Sequence, residues 1–347
     1  MNILWNFVNN PAAMHSTDYR PTILYPVFQY LKEKGHKVFV DPHKRKGHPS
    51  FKVYPRLLKD FTRYKKQRID LWLTCLAHSP DHQQTKNINS PRYASFKKKG
   101  VKIAVYEHAW LPESILVDCG KLFSDSVYAN DISTLIEQNF DEQACAEYRN
   151  HLLSHNISKR PQDTKGELPD VPYIFVPIQK IEDVSIKNYS PIGMLDFMTS
   201  VAKFAAKNKI SVVFKPHPHA KGDRDVIKRH TRRLEKEYRC IYCVDAPIYK
   251  AMREALFTAC VNSGSVIDNI VSQTPVYCCA KSFFYKSDAI VYDKKVGRGL
   301  EKIFKQDYDW KVMKMKQQKI LWWLRQNLLF TELGIKENTK RLLRHIV

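Results

Sequence analysis

Short apolar runs alternate along the chain with longer segments in which apolar residues recur every three or four positions. The short runs are typical of buried strands and the longer segments of amphipathic helices. This alternation predicts an α/β fold in which helices cover both faces of parallel sheets. The predicted strands are 3–8, 37–40, 70–74, 101–106, 173–177, 210–214, 240–244, 259–261, 276–279 and 289–292. The predicted helices are 23–34, 132–155, 194–207, 223–237, 249–257, 266–272, 309–330 and 336–346.

A polar segment with three prolines and no periodicity, residues 154–173, separates two groups of these elements and is typical of a linker. The predicted organisation is an N-terminal Rossmann-like domain, a linker, a C-terminal Rossmann-like domain, and C-terminal helices that pack across both domains. The bounds are 1–155, 156–172, 173–305 and 306–347.

The run around Trp322 and Trp323 fits either a lipid interface or a helix packed on its own protein. The second interpretation is favoured, because any surface helix has an apolar face. No apolar run approaches the roughly 20 residues of a membrane span. The N-terminal MNILWNFV begins like a strand rather than a signal peptide. The expectation is a soluble, cytoplasmic protein with at most peripheral membrane association.

The chain has 57 Lys and Arg against 35 Asp and Glu, a formal net charge of +22. Such a charge suits a polyanionic partner, and a basic polyanion or nucleic-acid binding protein without catalysis is the alternative function. Phosphates on a small molecule or an acidic polymer fit the charge as well. The lysines are spread over the whole sequence, which favours scattered charge over one binding face and argues against nucleic acid.

The eight cysteines lack the spacing of a disulfide framework, which indicates a reducing compartment. Cys240 and Cys243 lie in an apolar run and are interpreted as buried strand thiols. A zinc site would need a second matching pair.

Ligands of open parallel sheets bind beyond the carboxyl ends of the strands, so the residues after each strand are candidates. Glu107 and His108 follow the strand predicted at 101–106, with Trp110 close by. A partly desolvated carboxylate beside an imidazole suits a general base or a nucleophile. Capping of a helix, or an ion pair with a lysine, would explain Glu107 equally well.

The sequence FKPHPH follows the strand predicted at 210–214 and places Lys215 and His217 around prolines. Prolines fix the backbone and remove amide donors, so the side chains supply the polar groups of this turn. A phosphate would suit Lys215 and His217. Zinc bound by His217 and His219 is less favoured, because a zinc site needs three or four protein ligands.

Three further candidates follow strands or begin a helix. Gln179 and Asp183 could bind ligand hydroxyls or close a loop, and Asp268 could bind a ribose. A small-residue turn before the helix 266–272 could cap that helix or bind phosphate through its amides. This turn consists of Asn262, Ser263, Gly264 and Ser265.

Several motifs in this order resemble the capsule polysaccharide synthesis family, the KpsS- and KpsC-type glycosyltransferases, over roughly half of the chain. They are EHAWLPESILVDCG (107–120), VPIQKIEDVSI (176–186), YSPIGMLDFM (189–198), FKPHP (214–218), DAPIY (245–249) and NSGSVIDNIVSQTPV (262–276). The resemblance implies the GT-B fold, two Rossmann-like domains facing across a cleft. It also implies an acceptor on the first domain, a nucleotide sugar on the second, and no obligatory metal or other cofactor.

By the same resemblance, His217 and Ser263 to Ser265 hold donor phosphates, and Glu107 acts as acid–base or nucleophile on transfer to a glycan hydroxyl. Two departures are Asp268, where the family commonly has glutamate, and His108 with Ala109, where a glycine often follows the first-domain glutamate. The donor therefore stays open among CMP-Kdo, a GDP-sugar and a UDP-sugar such as UDP-xylose. The chain also resembles sugar transferases that large algal viruses encode for capsid glycans.

A second rival is a metal-dependent GT-A enzyme that uses Asp223 and Asp225 as its carboxylate pair. Acidic residues are ordinary at a helix start, so this rival is the weaker interpretation.

Overall fold

A computed structural model describes residues 1–7, 20–42, 60–74, 91–119, 125–159, 166–218, 221–238 and 241–346. The chain divides into two compact units. Unit 1 contains residues Met1–Ala109, Glu113–Leu122 and Asn327–Val347, and unit 2 contains Trp110–Pro112 and Phe123–Gln326.

The secondary structure is numbered in chain order over the described residues. The strands are β1 (Asn2–Phe7), β2 (Lys37–Pro42), β3 (Thr62–Arg63), β4 (Leu71–Thr74), β5 (Lys102–His108), β6 (Ser114–Asp118), β7 (Tyr173–Pro177), β8 (Ser211–Lys215), β9 (Ile241–Cys243), β10 (Phe257–Cys260), β11 (Val276–Cys278), β12 (Val291–Tyr292) and β13 (Leu329–Phe330). The helices are α1 (Arg20–Glu33), α2 (Pro91–Lys98), α3 (Val127–Leu135), α4 (Glu142–Ser154), α5 (Val184–Tyr189), α6 (Met194–Lys207), α7 (Arg224–Tyr238), α8 (Ile248–Glu254), α9 (Val266–Ser272), α10 (Val296–Phe304), α11 (Trp310–Asn327) and α12 (Ile335–Ile346).

The sheet of unit 1 has the order β13-β6-β5-β4-β1-β2-β3. Strands β3, β2, β1, β4 and β5 run parallel, whereas β6 is antiparallel to β5 and β13 is antiparallel to β6. Glu107 pairs with Leu116 across β5 and β6. Its backbone is therefore fixed within the sheet.

The sheet of unit 2 has the order β12-β11-β10-β7-β8-β9, and all of its strands are parallel. The chain proceeds outward from β7 to β9 on one side and from β10 to β12 on the other. The junction of β7 and β10 is thus the topological switch point, where ligands of such sheets bind beyond the carboxyl ends.

Helix packing follows the apolar periodicity. In α6, buried Met194, Phe197, Met198 and Val201 recur at three and four residue spacings and join the core of unit 2. In unit 1, Trp5 of β1 packs on Phe28 of α1 with ring centroids 4.6 Å apart. Each unit therefore has a core of its own, as predicted for two Rossmann-like domains.

The structure bears out the α/β alternation and departs from it in detail. The segment 132–155, predicted as one helix, forms α3 and α4, with Asn139 at a positive φ of 50° between them and Asp141 capping α4. The helix predicted to reach Phe330 ends at Asn327, because Leu329 and Phe330 pair with β6. Six short elements were not predicted: β3, β6, β13, α2, α5 and α10.

The units divide the chain differently from the predicted domains. Residues 123–155, predicted for the N-terminal domain, lie in unit 2, and the C-terminal segment is split near Asn327. The reason is packing: Cys145 of α4 is buried and donates to the Gln318 carbonyl, and Arg149 Nε donates to the Val271 carbonyl at 2.9 Å. These contacts are between residues far apart in sequence, which a linear reading does not detect.

The tryptophans of α11 agree with packing on the protein rather than on lipid. Trp323 is buried beside Tyr128, and Trp322 Nε1 donates to the Asn139 carbonyl at 2.7 Å. Among the described helices, none combines the length and apolar character that crossing a bilayer requires.

Candidate functional site

Two amide side chains are joined at the switch point of unit 2. Gln179 follows β7 and Asn262 follows β10. Gln179 Nε2 donates to Asn262 Oδ1 at 3.1 Å, and the Asn262 backbone amide donates to Gln179 Oε1 at 3.1 Å. Both residues are buried. The two strand ends are therefore held together by a pair of reciprocal hydrogen bonds.

Ser185 extends this pair into a network. Its hydroxyl contacts Asn262 Oδ1 at 3.0 Å and Asp183 Oδ1 at 2.7 Å, and its carbonyl accepts from Asn262 Nδ2 at 2.9 Å. Asp183 also caps α5 by accepting from the Ser185 amide at 2.8 Å. The observed contacts of Gln179 and Asp183 are thus those of the loop-closing alternative.

The residues Asn262 to Ser265, the serine turn, expose backbone donors. Ser263 Oγ accepts from the Ser265 amide at 3.1 Å and from the Ser265 hydroxyl at 2.8 Å, so these two side chains bind each other. Within the part of the chain that the structure describes, the amides of Ser263 and Gly264 have no acceptor. Gly264 is exposed.

Trp110 lies against this turn. A Cβ added to Gly264 would be 3.3 Å from Cδ1 of Trp110, so a larger residue there would require a small shift of the indole. The indole also packs on Phe283, with ring centroids 4.3 Å apart. The turn is therefore supported by an aromatic cluster of unit 2.

The histidine turn, residues 215–218, follows β8 on the other side of β7. Lys215 pairs with Pro177 in the sheet, and His217 is half-buried. Since neighbouring strands are about 4.8 Å apart, the two turns are separated by about two strand spacings at one sheet edge. The topology therefore brings the predicted phosphate-binding turns to the same edge.

Lys215 already has a counter-ion. Its ammonium group binds Asp245 Oδ1, with the lysine side chain 5% exposed and the aspartate 55% exposed. The charge predicted to meet a phosphate is thus shared with a carboxylate that follows β9.

Asp268 is enclosed by protein. It is buried on α9 beside Tyr249, whose hydroxyl donates to the Ile157 carbonyl at 2.6 Å. Burial raises the pKa of the Asp268 carboxyl to about 7, although Lys159 and the Tyr249 hydroxyl act in the opposite direction. The ribose-binding role predicted for Asp268 stays a prediction, and the carboxylate is enclosed by protein in this structure.

In unit 1, Glu107 lies within β5 rather than after it and forms a buried ion pair. Arg20 NH1 donates to Glu107 Oε1 at 2.8 Å, and the two side chains are 5% and 14% exposed. The His108 amide donates to the same oxygen at 2.8 Å. The ion pair predicted as one explanation of Glu107 is therefore observed, but its partner is Arg20 rather than a lysine. His108 is half-buried beside it.

Metal sites were the alternative chemistry. No group of three or more His, Cys, Asp and Glu suited to a metal occurs among the described residues, and His219 and Cys240 lie outside them. Asp223 Oδ2 accepts from the Ile181 amide at 3.0 Å in a 3₁₀ turn before α7. This carboxylate thus ties the loop after β7.

Sequence reasoning missed three residues that hold the candidate site: Arg20, Ser185 and Asp245. Asp245 follows β9, so the rule of strand ends could have found it. Ser185 and Arg20 reach partners distant in sequence and carry no local signal.

Residues 155–298 match the model of a family described as capsule polysaccharide biosynthesis protein. The matched segment is less than half of the chain and contains both turns. No curated protein matches the chain. The predicted resemblance to this family is confirmed.

Two solved structures of KpsC from Thermosulfurimonas dismutans share the fold. The beta Kdo 2,7 transferase has 17% identity over 99% of each chain and a TM-score of 0.55. The beta Kdo 2,4 transferase has 13% identity over 88% of this chain and 89% of that chain, with a TM-score of 0.53. The similarity to these two structures confirms the predicted GT-B fold class.

Proposed function

We propose that the protein is a glycosyltransferase that moves a sugar from a nucleotide-sugar donor to a hydroxyl of a glycan acceptor. The observation that carries this proposal is the carboxyl edge of the unit 2 sheet, where the histidine turn and the serine turn flank the switch point. The matched family segment spans this edge, and the two similar structures are Kdo transferases.

The donor phosphates would accept from the amides of Ser263 and Gly264 and contact His217. Lys215 adds positive charge, moderated by Asp245. Fixed donors of this kind stabilise the negative charge that develops on a leaving phosphate without reorganising during the reaction. Such an arrangement can replace a metal ion, so transfer is proposed to be metal-independent and to survive EDTA.

Glu107 is proposed as the catalytic carboxylate, with His108 beside it. As a base, it takes the proton of the acceptor hydroxyl while the acceptor oxygen bonds to the anomeric carbon. The bond from that carbon to the phosphate oxygen breaks, and the nucleotide leaves with the electron pair. Arg20 holds Oε1 of the carboxylate in place. As a nucleophile, Glu107 would instead form a glycosyl–enzyme intermediate.

Two variants separate binding from chemistry. His217→Ala should abolish the stabilisation of unit 2 by UDP, CMP or GDP in a thermal shift assay, because a bound ligand stabilises according to its occupancy. Glu107→Gln should retain that stabilisation and lose at least about a hundredfold in sugar transfer, the usual contribution of a general base.

The matched controls are His155→Ala and Glu182→Gln, which change exposed residues of the same types. Both should behave like the wild type. The proposal is overturned if no nucleotide or nucleotide sugar stabilises the wild-type protein, or if Glu107→Gln transfers sugar at the wild-type rate.

A further inference from the structure

Helix α7 carries a concentrated positive charge on its outer side. Its buried residues Ile227, Thr231 and Leu234 attach it to unit 2. On the opposite side four exposed cations lie together, here called the α7 cationic face: Arg229, Arg232, Arg233 and Lys236.

These four residues are neighbours in space. Their spacing of three, four and seven positions places them on two successive turns, about 10 Å in length. Residues three or four apart on a helix lie about 5–6 Å apart at their Cβ atoms. The face therefore brings like charges together, and this repulsion disfavours the free helix.

Several other surface cations of the chain are paired with acids. Lys305 binds Glu301 at 2.6 Å, and Lys316 and Lys319 both bind Glu137. For the α7 cationic face, no carboxylate of the described residues lies within ion-pair distance. Glu237, one turn after Arg233, accepts from the Tyr238 hydroxyl instead. The charge of this face is therefore available to a partner.

We propose that the α7 cationic face binds a linear acidic glycan through its carboxylates. Three of its four side chains are guanidinium groups, which bind carboxylates with two parallel hydrogen bonds. That the polymer is a glycan rests on the proposed function. The face places four of the 57 cations on one side of a helix, which a count of lysines along the sequence does not detect.

The composition of α7 argues against the other polyanions. Helices that lie on lipid insert Trp, Phe or Leu, whereas the large apolar residue exposed on α7 is Val226 at 36%. Single-stranded nucleic acid is bound by stacking on aromatic residues. The aromatic residue of α7 is Tyr238, which is half-buried and bonded to Glu237.

The test measures binding of fluorescein-labelled polygalacturonate to the full chain by anisotropy at low and physiological ionic strength. The variant R229Q/R232Q/R233Q/K236Q should bind about tenfold more weakly and show a shallower salt dependence. The control K97Q/K98Q/K99Q/K302Q removes the same charge from exposed positions and should lose less than about twofold. R229K/R232K/R233K keeps the charge and should give an intermediate loss, because lysine lacks the paired donors.

Folding of R229Q/R232Q/R233Q/K236Q is checked by its urea midpoint. This midpoint should equal or exceed that of the wild type, because the repulsion among the four cations has been removed. Equal losses in that variant and the control overturn the proposal, as does absence of polygalacturonate binding to the wild type. Tighter binding to oligo-dT or to phosphatidylglycerol vesicles also overturns it. Stabilisation by nucleotide is measured in parallel and should not depend on α7. Its absence in the wild type would contradict the proposed function, whereas the binding outcomes above concern the α7 cationic face.

Discussion

The two units hold their strand-end polar residues in different ways. In unit 2, Gln179, Ser185 and Asn262 form a network of uncharged groups in which several donors and acceptors satisfy one another. In unit 1, the Glu107 carboxylate depends on a buried ion pair with Arg20. A network distributes its energy over several bonds, whereas the removal of one ion from a buried pair leaves the other uncompensated.

This difference matters for the proposed chemistry. The uncharged network fixes the backbone before the serine turn, so that the Ser263 and Gly264 amides keep one direction. The ion pair fixes the charged side chain that is proposed as the catalytic carboxylate. Unit 2 thus relies on several hydrogen bonds and unit 1 on one ion pair, and variants can test the two arrangements separately.

The largest effect is expected from Arg20→Met. This change leaves the Glu107 carboxylate buried without its cation, which should lower the free energy of unfolding of unit 1 by about 3 to 5 kcal/mol. Urea unfolding followed by tryptophan fluorescence measures it. Adding Glu107→Gln should recover part of the loss, because the uncompensated charge is gone. Equal losses in Arg20→Met and in the double variant would show that the Arg20–Glu107 ion pair does not account for the lost stability.

Asn262→Ala should cost somewhat less, about 2 to 3 kcal/mol in unit 2. It removes the acceptor that Gln179 Nε2 has at 3.1 Å and the donor that the Ser185 carbonyl has at 2.9 Å, and unsatisfied buried polar groups are costly. The same urea experiment measures this loss. Asn150→Ala, at an exposed position, is the control and should change the free energy of unfolding by less than about 0.5 kcal/mol.

Periodicity and strand ends recovered the parts of this fold that depend on local pattern. The predicted helices 194–207 and 266–272 agree with α6 and α9 residue for residue, because in each the apolar residues recur at helical spacing. The missing strands β6 and β13 form an antiparallel edge by pairing residues more than 200 positions apart. Such pairing has no local signal.

The same limit applies to the candidate site. Sequence identified the strand ends at Glu107, Lys215 and Asn262, because each polar residue follows or ends an apolar run. It could not identify their partners Arg20, Asp245 and Ser185, which chain folding brings from other elements. Residue types along the sequence thus identified the strand-end positions. Which of these side chains already have a hydrogen-bond or ion-pair partner depends on tertiary contacts.

The buried Asp268 carboxyl makes the stability of unit 2 depend on pH. With the pKa of its carboxyl raised from 3.8 to about 7 by burial, the folded protein keeps a proton that the unfolded chain releases. Its contribution to stability is therefore complete below pH 3.8 and lost as the pH rises to about 7.

Relative to Asp268→Asn, the wild type should lose about 1.4 kcal/mol of unfolding free energy per pH unit within that window. Urea unfolding at several pH values gives the slope. Asp225→Asn, which removes an exposed carboxylate, should leave the slope as in the wild type. A wild-type slope that persists in Asp268→Asn would mean that another group titrates.

The smallest effect separates the two hydroxyls of the serine turn. Ser263→Ala removes the acceptor of the Ser265 amide, so the turn should lose about 1 kcal/mol, the usual cost of a lost cap. Ser265→Ala removes the other hydroxyl but leaves that amide bonded to Ser263 Oγ, and should cost less than about 0.5 kcal/mol. Urea unfolding compares them, and thermal shift with UDP or CMP compares their nucleotide affinity. If the two variants are equally destabilised, the Ser263 hydroxyl does not hold the turn, and the direction of the Ser263 and Gly264 amides must be set by the Asn262 network alone.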